Sequence, residues 1–131
     1  MCGIAGIIHK NKVDHSNDLK KILKQIQYRG PDETGIATFQ NLSIGMNRLA
    51  IIDSKKHNIP YYDDEKKIWA VFNGEIYNFK QLIREFSIKK KFRTNSDIEI
   101  IIFLYKKFGK KFVHKLNGMF SIAIFDKEKN K

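Results

Sequence analysis

Apolar and polar positions alternate with two periods along this chain, and the period changes mark its elements. Cys2 to Ile8 is small and apolar and predicts a buried strand that begins at the N-terminus. From Ser16 to Ile26 the period becomes helical, with Leu19, Ile22, Leu23 and Ile26 on one face and Ser16 as N-cap. Tyr28-Arg29-Gly30-Pro31-Asp32 reads as a turn. Gly35 to Gln40 and Leu42 to Ile52 alternate as strands, and a polar loop with Pro60 fills Ser54 to Asp64. Ile68 to Phe72 is a further strand, and Asn73-Gly74-Glu75 predicts a turn after it.

Phe79 to Phe86 predicts a short helix capped by Asn78. Ser96 to Phe108 predicts the strongest helix. Ser96 and Glu99 form a capping box, Asp97 lies in the first turn, Lys106 and Lys107 suit the last, and Gly109 ends it. A short helical piece over Lys110 to Lys115 and a strand over Met119 to Phe125 follow, then a turn from Asp126 to Lys131. Strands and helices cluster instead of alternating strictly. That favours layered α+β over a doubly wound parallel sheet.

Composition narrows the setting. The chain has 131 residues, 42% of them hydrophobic, enough for one domain with its own core. One Cys permits no internal disulfide, so a reducing, cytoplasmic setting is expected. The longest apolar run, Ile100 to Tyr105, is far short of the ~20 residues that cross a bilayer, and no basic stretch precedes the first apolar residues. Neither a membrane nor a signal peptide is indicated. The net charge of +11 raises nucleic acid as a partner, but 21 of the 25 basic residues are Lys. Joint enrichment in Lys, Ile, Asn and Phe is what an AT-rich genome produces. A basic binding module therefore rests on charge alone, and no nucleic-acid partner is expected. The four His residues show no metal-ligand spacing, and no metal site is expected.

The lone Cys stands at position 2. Removal of Met1 leaves Cys2 with a thiol and a free α-amine on one residue. The thiolate is a strong nucleophile, and the amine titrates near neutrality and can relay a proton. Such a nucleophile needs an oxyanion stabiliser. The Asn73 side-chain amide and the Gly74 N–H can converge on one oxygen.

Five motifs then occur in order: Met1-Cys2-Gly3-Ile4-Ala5-Gly6, Arg29-Gly30-Pro31-Asp32, Phe72-Asn73-Gly74-Glu75-Ile76-Tyr77-Asn78, Thr94-Asn95-Ser96-Asp97 and Leu116-Asn117-Gly118-Met119-Phe120. Together they resemble the class II glutamine amidotransferase (glutaminase) domain of glutamine-hydrolysing asparagine synthetases. The resemblance runs from residue 1 to about residue 126. It implies an N-terminal-nucleophile αββα sandwich, two mostly antiparallel sheets face to face with helices outside, incomplete at its C-terminus. It implies catalysis by Cys2, Asn73 and Gly74. It implies glutamine held by Arg48 at the α-carboxylate and by Glu75 and Asp97 at the α-ammonium, with Leu49, Ile51 and Ile52 lining the bound amino acid. The products would be glutamate and ammonia, formed through a Cys thioester. A synthetase domain or subunit would receive the ammonia, and a homodimer is compatible with this. The glutaminase domain needs no cofactor; ATP and Mg belong to the synthetase domain, which lies outside this chain. Arg29 and Asp32 read as pins for the loop near the site, and Trp69 as core.

Two positions depart from the family pattern. Tyr28 and Met46 stand where His is usual, which bears on local packing more than on the chemistry. The family's further strands are also missing, which predicts exposed sheet edges and marginal stability or dependence on a partner chain. The alternative reading is a truncated, inactive remnant or a partner-binding fragment.

Overall fold

The computed structural model describes residues 1–10, 13–51, 57–88 and 97–131. Its elements are β1 (Gly3–Ile8), α1 (Ser16–Gln25), β2 (Glu33–Thr38), β3 (Leu42–Arg48), β4 (Tyr61–Tyr62), β5 (Ile68–Ile76), α2 (Phe79–Glu85), α3 (Ile98–Phe108) and β6 (Gly118–Asp126). Single 3-10 stretches run over Gln27–Arg29 and Gly109–Lys115. The strands form two antiparallel sheets of order β1-β3-β2 and β4-β5-β6. Helix α1 lies on the first sheet and α3 on the second, and the sheets meet through β1, β3 and β5. The result is the expected α+β, αββα layering.

The central position of β3 explains its burial, with Ser43 to Arg48 all shielded. Its alternate faces serve different layers. Ile44 and Met46 join Ala70, Val71 and Phe72 of β5 in the main core. Gly45 and Asn47 face α1: a Cβ on Gly45 would sit 2.7 Å from Leu23 Cδ1, and Asn47 Nδ2 donates to Leu23 O at 2.7 Å. The helix therefore approaches closely enough for a side chain to bond its backbone. Leu19 and Leu23 are fully buried there, whereas Ile22 is 41% exposed and lies at the margin of the face the periodicity assigned to it.

Several boundaries differ from the sequence pattern. The turn expected at Asn73-Gly74-Glu75 is absent, because β5 continues through it to Ile76 and pairs with β6 throughout, Asn73 opposite Ser121 and Gly74 opposite Phe120. β2 begins two residues early at Glu33, β3 ends at Arg48, and the loop at Pro60 carries the short strand β4. Ser16 does not cap α1: it is the first helical residue, and its N–H donates to Asp14 Oδ1 at 2.7 Å. Asn78 precedes α2 but caps nothing with its side chain, which instead donates to Lys115 O and accepts from Asn117 N, both at 2.9 Å. The Ser96 end of the capping box lies outside the described residues, and α3 begins at Ile98. Gly109 does end α3, with φ +57°. Strand β6 is an edge strand of its sheet, with Met119 54% and Phe120 37% exposed along it.

No helix among the described residues is long and apolar enough to cross a membrane.

Among the polar ties that hold the second sheet to α3 is one at Asp63. Asp63, which follows β4, accepts from the N–H groups of Lys67 and Ile68 at 2.7 and 2.9 Å, and from Lys106 Nζ of α3 at 2.7 Å. Burial alone would raise the Asp63 pKa, but these donors outweigh it and hold the carboxyl below its ordinary value. A carboxyl depressed in the folded state stabilises fully above its unfolded pKa, and that contribution is lost as pH falls through its folded value. Asp63→Ala should cost about 1–3 kcal/mol at neutral pH. Chemical denaturation of both chains between pH 7 and pH 3 should show the difference shrinking on acidification; a constant difference would contradict this role for the charge.

Candidate active site

The antiparallel register sets the first contact of the site. Gly3 pairs with Asn47, so the same register carried one residue further places Cys2 opposite Arg48. The Leu49 N–H, just past β3, points to Cys2 Sγ at 3.5 Å. Arg29 Nε donates to Cys2 O at 3.3 Å. Asp32 accepts from the Ala50 N–H at 2.7 Å, and its own N–H donates to Arg48 O at 3.1 Å. The Arg29 to Asp32 segment thus staples both the N-terminus and the loop after β3. Gly30 permits the close approach: a Cβ there would lie 2.4 Å from Asn47 O.

The second sheet supplies the opposite wall. Asn73, Gly74 and Glu75 lie near the end of β5, and Asp97 stands immediately before α3. Asp97 is buried, and its Oδ2 accepts the Ile76 N–H at 2.7 Å, tying the start of α3 to the end of β5. Gly74 has φ +148°, and a Cβ there would meet Met119 O at 2.1 Å. Only glycine fits that position. The buried Asn73 side-chain oxygen has no hydrogen-bond partner among the described residues.

These walls enclose a cavity of about 260 Å³. Cys2, Arg48, Leu49, Ile51, Asn73, Gly74, Glu75 and Asp97 all line it. Ile51 is 75% exposed, and Glu75 is also exposed, so both belong to its rim. Ile52 lies outside the described residues. Met1, Met46, Tyr61, Phe72 and Met119 also line the cavity. Sequence reasoning gave Met46, Phe72 and Met119 no place in the site, because apolar residues in strands look the same whether they face a core or a cavity; Tyr61 fell in the expected polar loop, and Met1 entered only as the residue whose removal frees Cys2. Among the described residues, no group of three or more His, Cys, Asp or Glu is arranged to hold a metal ion.

Arg48 is one of the most deeply placed charges in the molecule, its side chain 6% exposed. It donates to Glu33 Oε1 in an ion pair, and Glu33 Oε2 accepts the His57 N–H at 2.9 Å. Glu33 was absent from the expected site. The signal that could have found it is the need of a buried guanidinium for a counter-charge on a neighbouring strand.

The cavity therefore joins a thiol at the start of the chain, a guanidinium at the end of β3, a side-chain amide and a carboxylate near the end of β5, and a second carboxylate just before α3. A family model described as the glutamine amidotransferase domain matches residues 1–131. The chain belongs to the glutamine amidotransferase domain family.

Among relatives of this amidotransferase domain, a Methanocaldococcus jannaschii protein provisionally named glutamine-hydrolysing asparagine synthetase 2 is 41% identical over 98% of the chain and 28% of its own length. Glutamine-hydrolysing asparagine synthetase 2 of Bacillus subtilis is 38% identical over 100% of the chain and 18% of its own length. Glutamine-hydrolysing asparagine synthetase 3 of Arabidopsis thaliana is 37% identical over 96% and 22% respectively. The chain thus spans less than a third of each of these relatives.

Gly74 gives this amidotransferase site its sharpest steric test. Gly74→Ala should destabilise the fold by about 2–4 kcal/mol, from left-handed backbone strain and the clash with β6. Urea denaturation checks this, and a loss below about 0.5 kcal/mol would contradict the described geometry.

Proposed function

We propose that this domain hydrolyses glutamine to glutamate and ammonia through a thioester on Cys2, the ammonia serving amide formation, as in asparagine synthesis, on a synthetase domain or subunit. The observation that carries this reading is the convergence on one cavity of Cys2, the Arg48 cation, the Asn73-Gly74 pair and the Glu75 and Asp97 carboxylates. The names of the relatives support the choice of glutamine.

The charges match a free amino acid end to end. Arg48 presents a planar donor fork to an α-carboxylate. Glu75 and Asp97 offer acceptors to an α-ammonium. Asp97 serves twice, since one of its oxygens also holds the Ile76 N–H. This pins the substrate and leaves its side-chain amide to reach Cys2.

Met1 lines the same cavity and carries the α-amine while it is present. Its removal gives Cys2 the free amine. The amine takes the thiol proton as Sγ attacks the amide carbon, and a C–S bond and an oxyanion form. The Asn73 amide and the Gly74 N–H stabilise that oxygen. The amine then protonates the leaving nitrogen, the C–N bond breaks, and ammonia departs. Water adds to the thioester, giving a proton to the amine. The C–S bond breaks, the thiol is restored, and glutamate leaves. Only the chain's own groups and water take part in this step; ATP and Mg²⁺ would serve amide formation elsewhere. A reducing compartment such as the cytoplasm keeps the thiol available.

Ammonia release from glutamine by chain lacking Met1 tests the reading. Cys2→Ala should abolish it, and Asn73→Ala should lower kcat about 10²–10³-fold with KM little changed. Turnover that survives Cys2→Ala would overturn the mechanism. Asp97 separates its two duties: Asp97→Asn keeps an acceptor for Ile76, so stability should change by less than about 1 kcal/mol while KM rises, whereas Asp97→Ala should also cost about 1–3 kcal/mol of stability. Denaturation and steady-state kinetics on both variants measure this, and equal KM values for Asp97→Asn and the unaltered chain would contradict the ammonium contact.

A further inference from the structure

Arg48 can grip a carboxylate only if the plane of its guanidinium is fixed. The fork offers two parallel N–H donors in one orientation, and a turn of a few tens of degrees loses one of them. What fixes that plane stands on the neighbouring strand. Glu33 pairs directly with Arg48 in the β2–β3 register, and its Oε1 takes the bond from Arg48 Nη1. Its Oε2 is held in turn by the His57 N–H at 2.9 Å. A carboxylate bound at both oxygens from two different segments cannot rotate freely. Both partners are shielded, the side chains being 12% and 6% exposed, so water does not compete well for the pair. His57 is itself buried and packs edge-on against Tyr61, their rings 5.9 Å apart, with Nδ1 3.2 Å from the Tyr61 hydroxyl. Tyr61 and Arg48 both line the cavity, whereas Glu33 does not. Glu33 therefore acts through Arg48 and not on the bound molecule.

We propose that Glu33 is a positioning residue for substrate binding: anchored by the His57 N–H, it sets the orientation in which Arg48 receives the substrate α-carboxylate. This rests on the reading of the cavity as a glutamine site. The role is one of geometry more than of charge. Glu33 partly neutralises Arg48, so a purely electrostatic view would have its removal tighten carboxylate binding; a positioning role has it weaken binding. The two views differ in sign.

The test compares the unaltered chain, Glu33→Gln, Glu33→Asp and Arg48→Ala, all lacking Met1, with two substrates. One is glutamine. The other is 4-aminobutanamide, which keeps the amine and the side-chain amide but has no carboxylate. The rate of Cys2 alkylation by iodoacetamide reports whether the nucleophile and its surroundings are intact. Glu33→Gln keeps the size of the side chain but replaces one acceptor oxygen with a donor, so one of the two anchors is lost. It should raise KM for glutamine about tenfold, with kcat within about twofold and the alkylation rate unchanged. Glu33→Asp keeps the charge but is one methylene too short to span both anchors, and KM should rise there as well. With 4-aminobutanamide, kcat/KM should be the same for the unaltered chain and both Glu33 variants. A merely structural role would lower alkylation and turnover of both substrates together, and that result would overturn the proposal. An unchanged or lowered glutamine KM in both Glu33 variants, while Arg48→Ala raises it, would overturn the role of Glu33 alone. An unchanged KM in Arg48→Ala, or no glutamine turnover by the unaltered chain, would overturn the reading of the cavity and the proposal with it.

Discussion

The packing of β3 against β5 is the constraint on which the rest depends. Each strand lies at the centre of its own sheet. Ile44 and Met46 on one side and Ala70 and Phe72 on the other bury each other in the main core. The apolar contact fixes the distance between the sheets, and the strand ends beyond it then face each other across a gap. Arg48 ends one strand, and Asn73, Gly74 and Glu75 lie near the end of the other. Burial of apolar surface thus places polar groups that have no attraction of their own for one another. β1 adds Cys2 by its register with β3, with Arg29 Nε holding the Cys2 carbonyl, and the Ile76 N–H draws Asp97 into place.

A cavity built this way has to satisfy the charges it shields. The described structure does so with fixed partners: Glu33 for Arg48 and the Ile76 N–H for Asp97. These ties are worth more for orientation than for stability, since desolvation offsets much of what a buried ion pair contributes. Orientation is what an amidotransferase site needs. On the proposed reading, a substrate held at its carboxylate and ammonium has one way to lie, and its reacting amide is delivered to the thiol without further search.

Much of this was legible in the residues. The mix of strands and helices followed from clustered periodicities and the αββα layering from the family resemblance, and eight of the nine expected site residues line one cavity, the ninth, Ile52, lying outside the described residues. What escaped were features that depend on neighbours. Asn73-Gly74 has the composition of a turn, but Gly74 uses its φ of +148° to let β5 run flush against β6, a need set by the partner backbone. Ser16 and Asn78 have the chemistry of helix caps, yet the nearest partners in space are Asp14 Oδ1 for the Ser16 N–H and the backbone of Lys115 and Asn117 for the Asn78 side chain. Glu33 is an ordinary strand acid until the register puts it beside a buried guanidinium. Tyr61 fell in an expected polar loop and Met46 in an expected strand, and both are core on one side and cavity wall on the other.

The most direct measurement of the central claim is covalent labelling of Cys2 by an electrophilic analogue of glutamine, followed by intact-mass and N-terminal analysis. Chain lacking Met1 should be labelled one to one at Cys2, with protection by glutamine, and chain retaining Met1 should label far more slowly. Labelling that is equally fast with Met1 in place, or that glutamine does not slow, would contradict a substrate-shaped cavity with the N-terminal thiol as its nucleophile.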